Sequence, residues 1–165
     1  AREHGGTGVR LRDTRKTTPG LRWPEKYAVQ AGGGHNHRKN LTEMLMLKDN
    51  HIDAAGSITA AVAALRARYT PCPPIEVECR TLDHVREAIV ARADRIMMDN
   101  MDGQRLSQAL ALVPASIETE VSGGVRLDTI RALALTEPRR PDFISVGRLT
   151  HSAVSADFSM TLLAV

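Results

Sequence analysis

Short apolar runs alternate along most of the chain with longer segments whose apolar residues recur at helical spacing. In the segment 82–93, for example, Leu82, Val85 and Ile89 share one side of a helix. Strands that alternate with helices of this kind predict βαβ units and a parallel sheet. The predicted strands are 9–11, 44–47, 75–79, 96–98, 116–121 and 143–146, and the predicted helices are 25–31, 57–68, 82–93, 104–112 and 127–135.

The apolar residues predict one domain with an aliphatic core. The chain has 165 residues, of which 42% are hydrophobic but only 3% aromatic. This length suits a single domain, predicted here to span residues 1–165. Because so few aromatics occur, the core must be built from Val, Ile, Leu, Met and Ala. The Met pairs at 44 and 46 and at 97 and 98 are expected to fill that core.

The positive charge is concentrated early in the chain. Between Arg10 and His51 there are nine Lys or Arg and four Asp or Glu, whereas acidic residues outnumber basic ones from Ile52 onward. Charge confined to one segment favours a pocket for a small anion over a surface that binds nucleic acid. No apolar run is long enough for a membrane span. Neither nucleic acid nor a membrane is therefore expected as a partner.

The two cysteines, Cys72 and Cys79, indicate neither a disulfide framework nor a zinc site. This usage is typical of a reducing compartment, and the cytoplasm is the expected location.

Three acidic residues recur at equal spacing near the ends of predicted strands. Glu78, Asp99 and Glu120 follow one another at intervals of 21 residues. In a parallel barrel the carboxyl ends of the strands form one rim, where active sites are built. The sequence therefore predicts that three carboxylates face one opening, although capping or helix-dipole roles remain the alternative. Paired carboxylates at such a rim can hold Mg²⁺.

Cationic side chains and glycines follow other predicted strands. The cationic set comprises Arg15, Lys16, His37, Arg38, Lys48 and His51. Such residues bind carboxylate or phosphate, and Lys48, after a buried strand, requires a nearby anion. The glycines of Ser122-Gly123-Gly124 and Gly147 allow backbone amides to approach a phosphate. These residues predict an enzyme acting on a phosphorylated sugar and a carboxylated second substrate. The alternatives are solvated surface charges, structural histidines and flexible glycine loops.

An ordered series of motifs resembles the quinolinate phosphoribosyltransferase family. The motifs are DTRKTTPGLR at 13–22, EKYAV at 25–29, GGG at 32–34, NHR at 36–38, KDNHI at 48–52, EVE at 76–78, DNM at 99–101, SGG at 122–124, ISVG at 144–147 and LTHS at 149–152. A lone GGG would be a weak signal, but the ordered set is specific and covers nearly the whole chain.

The resemblance implies an α/β fold, the incomplete β/α barrel of the type II phosphoribosyltransferases, working as a homodimer or a higher homo-oligomer. It implies conversion of quinolinate and phosphoribosyl pyrophosphate into nicotinate mononucleotide, pyrophosphate and CO₂ with Mg²⁺, a step of NAD biosynthesis. Carried over by position, three groups of residues take roles. Arg15, Lys16, His37, Arg38 and Lys48 would hold the quinolinate carboxylates and the pyrophosphate; Glu78 and Asp99 would hold Mg²⁺ or the ribose hydroxyls; Ser122, Gly123, Gly147 and His151 would hold the 5′-phosphate. The catalytic residues would be Lys16, Lys48, Glu78 and Asp99.

The chain departs from the family pattern in several places. Family members carry an N-terminal domain that covers the neighbouring subunit's barrel and supplies an arginine to its site. This chain, which starts at Ala1 without a Met, is expected to lack most of that domain and to be a fragment or a processed chain. Smaller departures are Asn40, Trp23-Pro24 and Arg148.

Two other functions stay open from the sequence. One is a catalytically impaired barrel that binds phosphate or quinolinate without turnover. The other is a phosphate-binding isomerase or lyase barrel, which rests on architecture alone.

Overall fold

Six parallel strands form one sheet in the computed structural model, which describes residues 7–101 and 103–163. The strands are β1 (Arg10–Arg12), β2 (Leu45–Leu47), β3 (Ile75–Cys79), β4 (Arg95–Asp99), β5 (Glu118–Ser122) and β6 (Phe143–Ser145). Their order across the sheet is β1-β6-β5-β4-β3-β2. The initial segment Ala1–Gly6, discussed above as the start of a fragment, lies outside the described residues.

The sheet is a barrel that lacks a full complement of strands. The first strand in the chain pairs with the last, Leu11 lying opposite Ile144, while β2 pairs with β3 at the other edge. A complete barrel of this class has eight strands, each followed by a helix. The parallel sheet of six strands confirms the predicted α/β fold and incomplete β/α barrel.

Helices follow most of the strands. They are α1 (Arg22–Ala31), α2 (Asp49–Ala55), α3 (Ile58–Arg68), α4 (Leu82–Val90), α5 (Gly103–Leu112) and α6 (Ile130–Ala134), and a 3-10 turn covers Gly147–Leu149. Side-chain caps fix two of the starts: Ser57 accepts from Ala60 N before α3, and Thr81 accepts from His84 N before α4. The helices α2, α4 and α5 begin shortly after β2, β3 and β4, whereas longer segments separate β1 from α1 and β5 from α6.

The apolar core lies between the sheet and the helices. In β3 the outward residues Ile75, Val77 and Cys79 are fully buried, and Ile96 and Met98 of β4 join them. The cluster is almost entirely aliphatic, as predicted. Strand alternation then directs Glu76 and Glu78 to the inner face of the barrel.

The inner face is polar and is closed at its lower end by stacked cations. The guanidinium carbons of Arg10, Arg12 and Arg95 lie 3.9, 3.3 and 4.9 Å from the centre of the Phe143 ring. Glu118 pairs with Arg10 and Arg95. Except for Arg12, these residues are the first of their strands, so the cluster lies towards the amino ends of the sheet.

Among the described residues, no helix combines the length and the apolar character that crossing a membrane would require.

Candidate active site

One cavity of about 720 Å³ opens at the carboxyl ends of the strands. All eleven residues that the family resemblance assigned to the site line it: Arg15, Lys16, His37, Arg38, Lys48, Glu78, Asp99, Ser122, Gly123, Gly147 and His151. The fold thus brings together residues from the loops after all six strands. Their individual roles stay predictions.

One wall of the cavity is cationic. It is formed by Arg15, Lys16 and Arg38, and no carboxylate among residues 7–101 and 103–163 pairs with any of the three. The Nε of Arg15 is buried without a hydrogen-bond partner in that part of the chain. Burial, reinforced by the nearby charge of Arg15, lowers the pKa of Arg38. Cations left without internal partners favour an anionic ligand at this wall.

The Arg38 guanidinium is held by uncharged acceptors instead. Its Nη1 donates to the carbonyl of Met44 at 3.0 Å, and its Nη2 lies 3.4 Å from the Met46 sulfur. Met46 and Met97 also line the cavity. The prediction that the methionines fill the core is therefore wrong for Met46, which strand alternation turns to the inner face. Met97 is buried but also lines the cavity, and Met98 lies in the core.

A second part of the lining, called here the carboxylate wall, carries Glu78 and Asp99, which already have cationic partners. Glu78 pairs with Lys48, which meets the expectation that this lysine requires an anion. Arg80 lies 2.9 Å from Asp49, 3.6 Å from Glu78 and 3.9 Å from Asp99. Both carboxylates predicted to hold Mg²⁺ therefore line the cavity next to the cationic side chains of Lys48 and Arg80.

Glu120 does not join this wall, and the prediction that it faces the opening is wrong. It stands two residues before the end of β5, and Ser122, not Glu120, lies opposite Asp99 in the register. In the register Glu120 lies level with Glu78, since both stand opposite Met97, and Asp99 lies two residues further towards the carboxyl ends. Glu120 is nevertheless covered, because Arg12 and Ser145 contact its two oxygens. Glu120 is fully buried beneath the cavity.

Beneath the cavity, Glu120 belongs to a buried cluster with Arg12, His37 and Glu76. Arg12 Nη1 donates to Glu120 at 2.9 Å, and Ser145 Oγ donates to its other oxygen. His37 Nε2 lies 3.1 Å from Glu76 and 3.5 Å from Glu120. Burial raises the pKa of both carboxyls, and it lowers the pKa of His37 to about 4.

The three residues His37, Glu76 and Glu120 offer metal-ligand atoms within 4.8 Å of one another. However, His37 Nδ1 accepts a hydrogen bond from the Arg38 amide at 2.8 Å, so the proton of the neutral ring must be on Nε2. A protonated nitrogen facing the carboxylates cannot ligate a metal. Together with the charge of the neighbouring Arg12, this argues against a metal ion at the cluster.

A buried ion pair fixes the backbone on either side of the cationic wall. Lys26 of α1, 1% exposed, lies 2.7 Å from the fully buried Asp13 and donates also to the His37 carbonyl at 3.0 Å. Asp13 accepts from the amide of His37 at 2.7 Å. The loop after β1 and the segment that carries His37 and Arg38 are thereby tied together.

Two glycines in the cavity are needed for steric reasons. At Gly123, with φ of +94°, an added Cβ would overlap the side chain of Asn100. At Gly147 it would overlap the His151 ring. Thr150 Oγ1 donates to the Lys16 carbonyl at 2.7 Å and joins this end of the cavity to the loop after β1.

His51 and the departures from the family pattern have separate outcomes. His51 is structural: its Nδ1 accepts from the amide of Lys48 at 3.0 Å at the start of α2. Asn40 forms an exposed turn by accepting from Thr42, Pro24 lies in the first turn of α1, and Arg148 lines the cavity.

Sequence reasoning missed several residues of the site. The missed lining residues are Thr14, Arg80, Asn100, Val125, Arg126 and Ser145. Arg80 and Asn100 directly follow β3 and β4, so their place at the strand ends was a signal that could have found them. The Asp13–Lys26 pair gave no such signal, because its partners stand in separate motifs.

Comparison with known proteins gives one consistent family. The model of the quinolinate phosphoribosyl transferase C-terminal domain matches residues 1–161. A probable nicotinate-nucleotide pyrophosphorylase (carboxylating) of Bacillus subtilis is 49% identical over 152 residues, covering 92% of this chain and 52% of that protein. The corresponding Synechocystis protein is 44% identical, with 94% and 52% covered. The chain thus spans about half the length of these curated relatives.

Solved structures agree with this result. The crystal structure of NadC from Streptococcus pyogenes matches with a TM-score of 0.83 and 45% identity, over 95% of this chain and 54% of that one.

Proposed function

Since the chain belongs to the quinolinate phosphoribosyl transferase family through its C-terminal domain, we propose that it is the catalytic barrel of a carboxylating nicotinate-nucleotide pyrophosphorylase. The reaction joins quinolinate to the phosphoribosyl group of phosphoribosyl pyrophosphate and releases pyrophosphate and CO₂. The observation that carries the proposal is a single cavity lined both by Glu78 and Asp99 and by Arg15, Lys16 and Arg38, which have no carboxylate partner among the described residues.

The cationic wall suits the dicarboxylate substrate. Arg15, Lys16, His37 and Arg38 bind the two carboxylates of quinolinate and the pyrophosphate, with Lys48 at the boundary of the two walls. Because a site built for two carboxylates leaves a cation unpaired when one is missing, nicotinate should be a poor substrate. Neutral His37 contributes shape and hydrogen bonding there, not charge.

The carboxylate wall suits the ribose. The pyridine nitrogen attacks the anomeric carbon while the bond to pyrophosphate breaks, and positive charge develops on the sugar. Glu78 and Asp99 stabilise that charge, and Lys16 and Lys48 neutralise the leaving group. The 5′-phosphate is held by Ser122, Gly123, Gly147 and His151, where the glycine backbone is accessible.

Ribosylation prepares the second step. The ring becomes a pyridinium, so the electron pair of the bond to the adjacent carboxylate can pass to the ring carbon as CO₂ departs. That carbon then takes up one proton. The cations around the carboxylate fix its orientation relative to the ring.

The donors fit a magnesium ion. Glu78 and Asp99 supply hard oxygen ligands, and Lys48 and Arg80 already lie against them in the place of a cation. Bound between these carboxylates and the substrate phosphates, Mg²⁺ would neutralise the leaving pyrophosphate.

The same family membership supports three further proposals. Residues 1–165 form one β/α-barrel domain of a longer protein, which works as a homodimer or a higher homo-oligomer. The two free thiols, Cys72 and Cys79, support a cytoplasmic location. No observation favours the impaired barrel over the active enzyme.

The test is CO₂ release from quinolinate labelled at the 2-carboxylate. The chain is assayed with and without phosphoribosyl pyrophosphate and Mg²⁺, alone and after restoring the rest of a relative's length. Release that requires both, with nicotinate unconverted, supports the proposal. Arg38→Gln should abolish release, while Lys39→Gln, its neighbour outside the cavity lining, should not. If the restored protein released no CO₂, this result would refute the catalytic assignment and favour the impaired barrel.

A further inference from the structure

Arg80 lies at the centre of the carboxylate wall, although nothing in the proposed reaction uses it. Its guanidinium meets carboxylates from the loops or ends of three successive strands: Asp49 at 2.9 Å, Glu78 at 3.6 Å and Asp99 at 3.9 Å. Only the contact with Asp49 has the length of a hydrogen bond. Arg80 is therefore hydrogen-bonded to Asp49, and its charge lies close to the two residues proposed to hold the metal.

The backbone at Arg80 is held between a strand and a helix cap, whereas its side chain reaches solvent. Arg80 directly follows β3 and precedes Thr81, whose side chain caps α4. The Arg80 side chain is 52% exposed. It can therefore turn from Glu78 and Asp99 towards the cavity without any change in the strand or the helix.

The charges around Arg80 give its position an effect on metal binding. Three negative side chains, Asp49, Glu78 and Asp99, are offset by two positive ones, Lys48 and Arg80. A divalent cation at Glu78 and Asp99 would face the Arg80 charge at short range. The guanidinium and the metal ion thus compete for the same two carboxylates.

We propose that Arg80 is a built-in counter-ion that weakens divalent-metal binding to the free site and makes that binding depend on the pyrophosphate-bearing substrate. When the substrate arrives, its phosphates attract Arg80 away from Glu78 and Asp99, and these carboxylates become available to the metal. Arg80 is a positioning residue in this scheme. The inference rests on the proposed function, because it assumes Glu78 and Asp99 as metal ligands.

The test measures Mn²⁺ binding by electron paramagnetic resonance, without turnover. In the absence of substrate, Arg80→Gln should tighten Mn²⁺ binding by about fivefold, since it removes one positive charge near the metal. Arg86→Gln is the matched control, because Arg86 is similarly exposed but pairs with Asp83 on α4 outside the cavity lining. It should leave Mn²⁺ affinity unchanged. Adding Asp99→Asn to Arg80→Gln should abolish the gain.

Phosphoribosyl pyrophosphate supplies the second measurement. It should tighten Mn²⁺ binding more in the original chain than in Arg80→Gln, where the competitor is already gone. Equal or weaker Mn²⁺ affinity in Arg80→Gln, with quinolinate-dependent CO₂ release intact, would overturn this inference alone. Mn²⁺ binding that ignores Asp99 in every variant would overturn both this inference and the metal assignment.

Discussion

His37 is the residue at which the cavity and the buried interior of the barrel meet. Its ring lines the cavity, yet Nε2 points to Glu76 and Glu120, and Nδ1 is occupied by the Arg38 amide. Nδ1 is therefore occupied, whereas Nε2 has no hydrogen-bond partner among the described residues. His37 is held as a neutral, oriented surface of the cavity throughout the pH range in which an exposed histidine would change its charge.

The lowered pKa of His37 predicts a pH-dependent stability. In the unfolded chain this histidine has a pKa near 6.5, and in the folded chain burial lowers it to about 4. Between about pH 4 and pH 6.5 His37 is protonated in the unfolded state but not in the folded state. Acidification through this range therefore lowers the free energy of unfolding. The contribution is complete above pH 6.5 and falls by at most about 3 kcal/mol by pH 4.

Urea unfolding at pH 7, 6, 5 and 4 measures this effect by comparison with His37→Asn. The raised pKa values of Glu76 and Glu120 act in the opposite direction, because the folded chain then holds protons that the unfolded chain releases. The charges of Arg12, Arg38 and Arg95 also face the ring. His37→Asn should therefore lose less stability on acidification than the original chain. Equal losses would contradict the prediction.

The position of single residues could be predicted well where a motif placed them. It was predicted poorly where their depth along a strand decides whether they line the cavity. Lys48 directly follows β2, Arg15 and Lys16 lie in the loop after β1, and all three line the cavity. Glu120 and Met97 lie inside their strands, so their environment depends on where the strand ends and which face they take. A single sequence determines neither the end of a strand nor the face of each side chain to within one residue.

At the scale of elements, the Asp13–Lys26 pair joins α1 to the loop after β1. Lys26→Met should lower the free energy of unfolding by about 3–5 kcal/mol, because Asp13 would stay buried without its ammonium partner. Chemical denaturation checks this, with Lys39→Met as the control. Lys39 lies at the surface near the Trp23 ring, so its loss should change stability by about 0.5 kcal/mol or less. A similar small loss for Lys26→Met would show that Asp13 becomes protonated or hydrated.

The loop after β5 gives a second prediction for an element. Gly123→Ala should cost about 2–4 kcal/mol, because alanine resists a φ of +94° and its Cβ would displace Asn100. Gly103→Ala, at the start of α5 with open space around it, should not destabilise. Thermal unfolding of both variants compares them. If Gly123→Ala were as stable as Gly103→Ala, the loop would not be held against Asn100.

Elements were predictable where the apolar pattern was long. The β3 bounds agree at both ends, and α3 and α5 differ by one residue at the start. No element was predicted for the segment Asp49–Ala55, but it forms α2, which is capped by Lys48 and by Gly56 with φ of +84°. Seven residues with one buried side chain, Ile52, are too few for periodicity to reveal a helix.

At the scale of the whole molecule, the sheet separates two kinds of interaction. Its outer face packs aliphatic residues against the helices, and its inner face holds the charged groups of the cavity and the cations around Phe143. Most of the stabilising apolar burial therefore lies outside the barrel. The inner face can carry catalytic chemistry because the fold does not depend on it for its core.

Hydrogen exchange should reveal this arrangement strand by strand. Strand β4 pairs on both sides and contributes fully buried Ile96 and Met98 to the core, so its amides should exchange most slowly. Strand β2 pairs only with β3 among the described residues and should exchange sooner. Mass spectrometry of peptides that cover each strand measures the order. Protection of β2 equal to that of β4 would indicate that another segment covers this edge.

The pairing of β1 with β6 has a consequence for the synthesis of the chain. Arg10 lies opposite Phe143, and Lys16 receives its hydrogen bond from Thr150, 134 positions later. A ribosome must therefore deliver nearly the whole domain before the first strand meets its neighbour in the sheet. The cationic wall, although translated first, is completed last, and a nascent chain stopped before β6 would carry all of that wall's residues without a site.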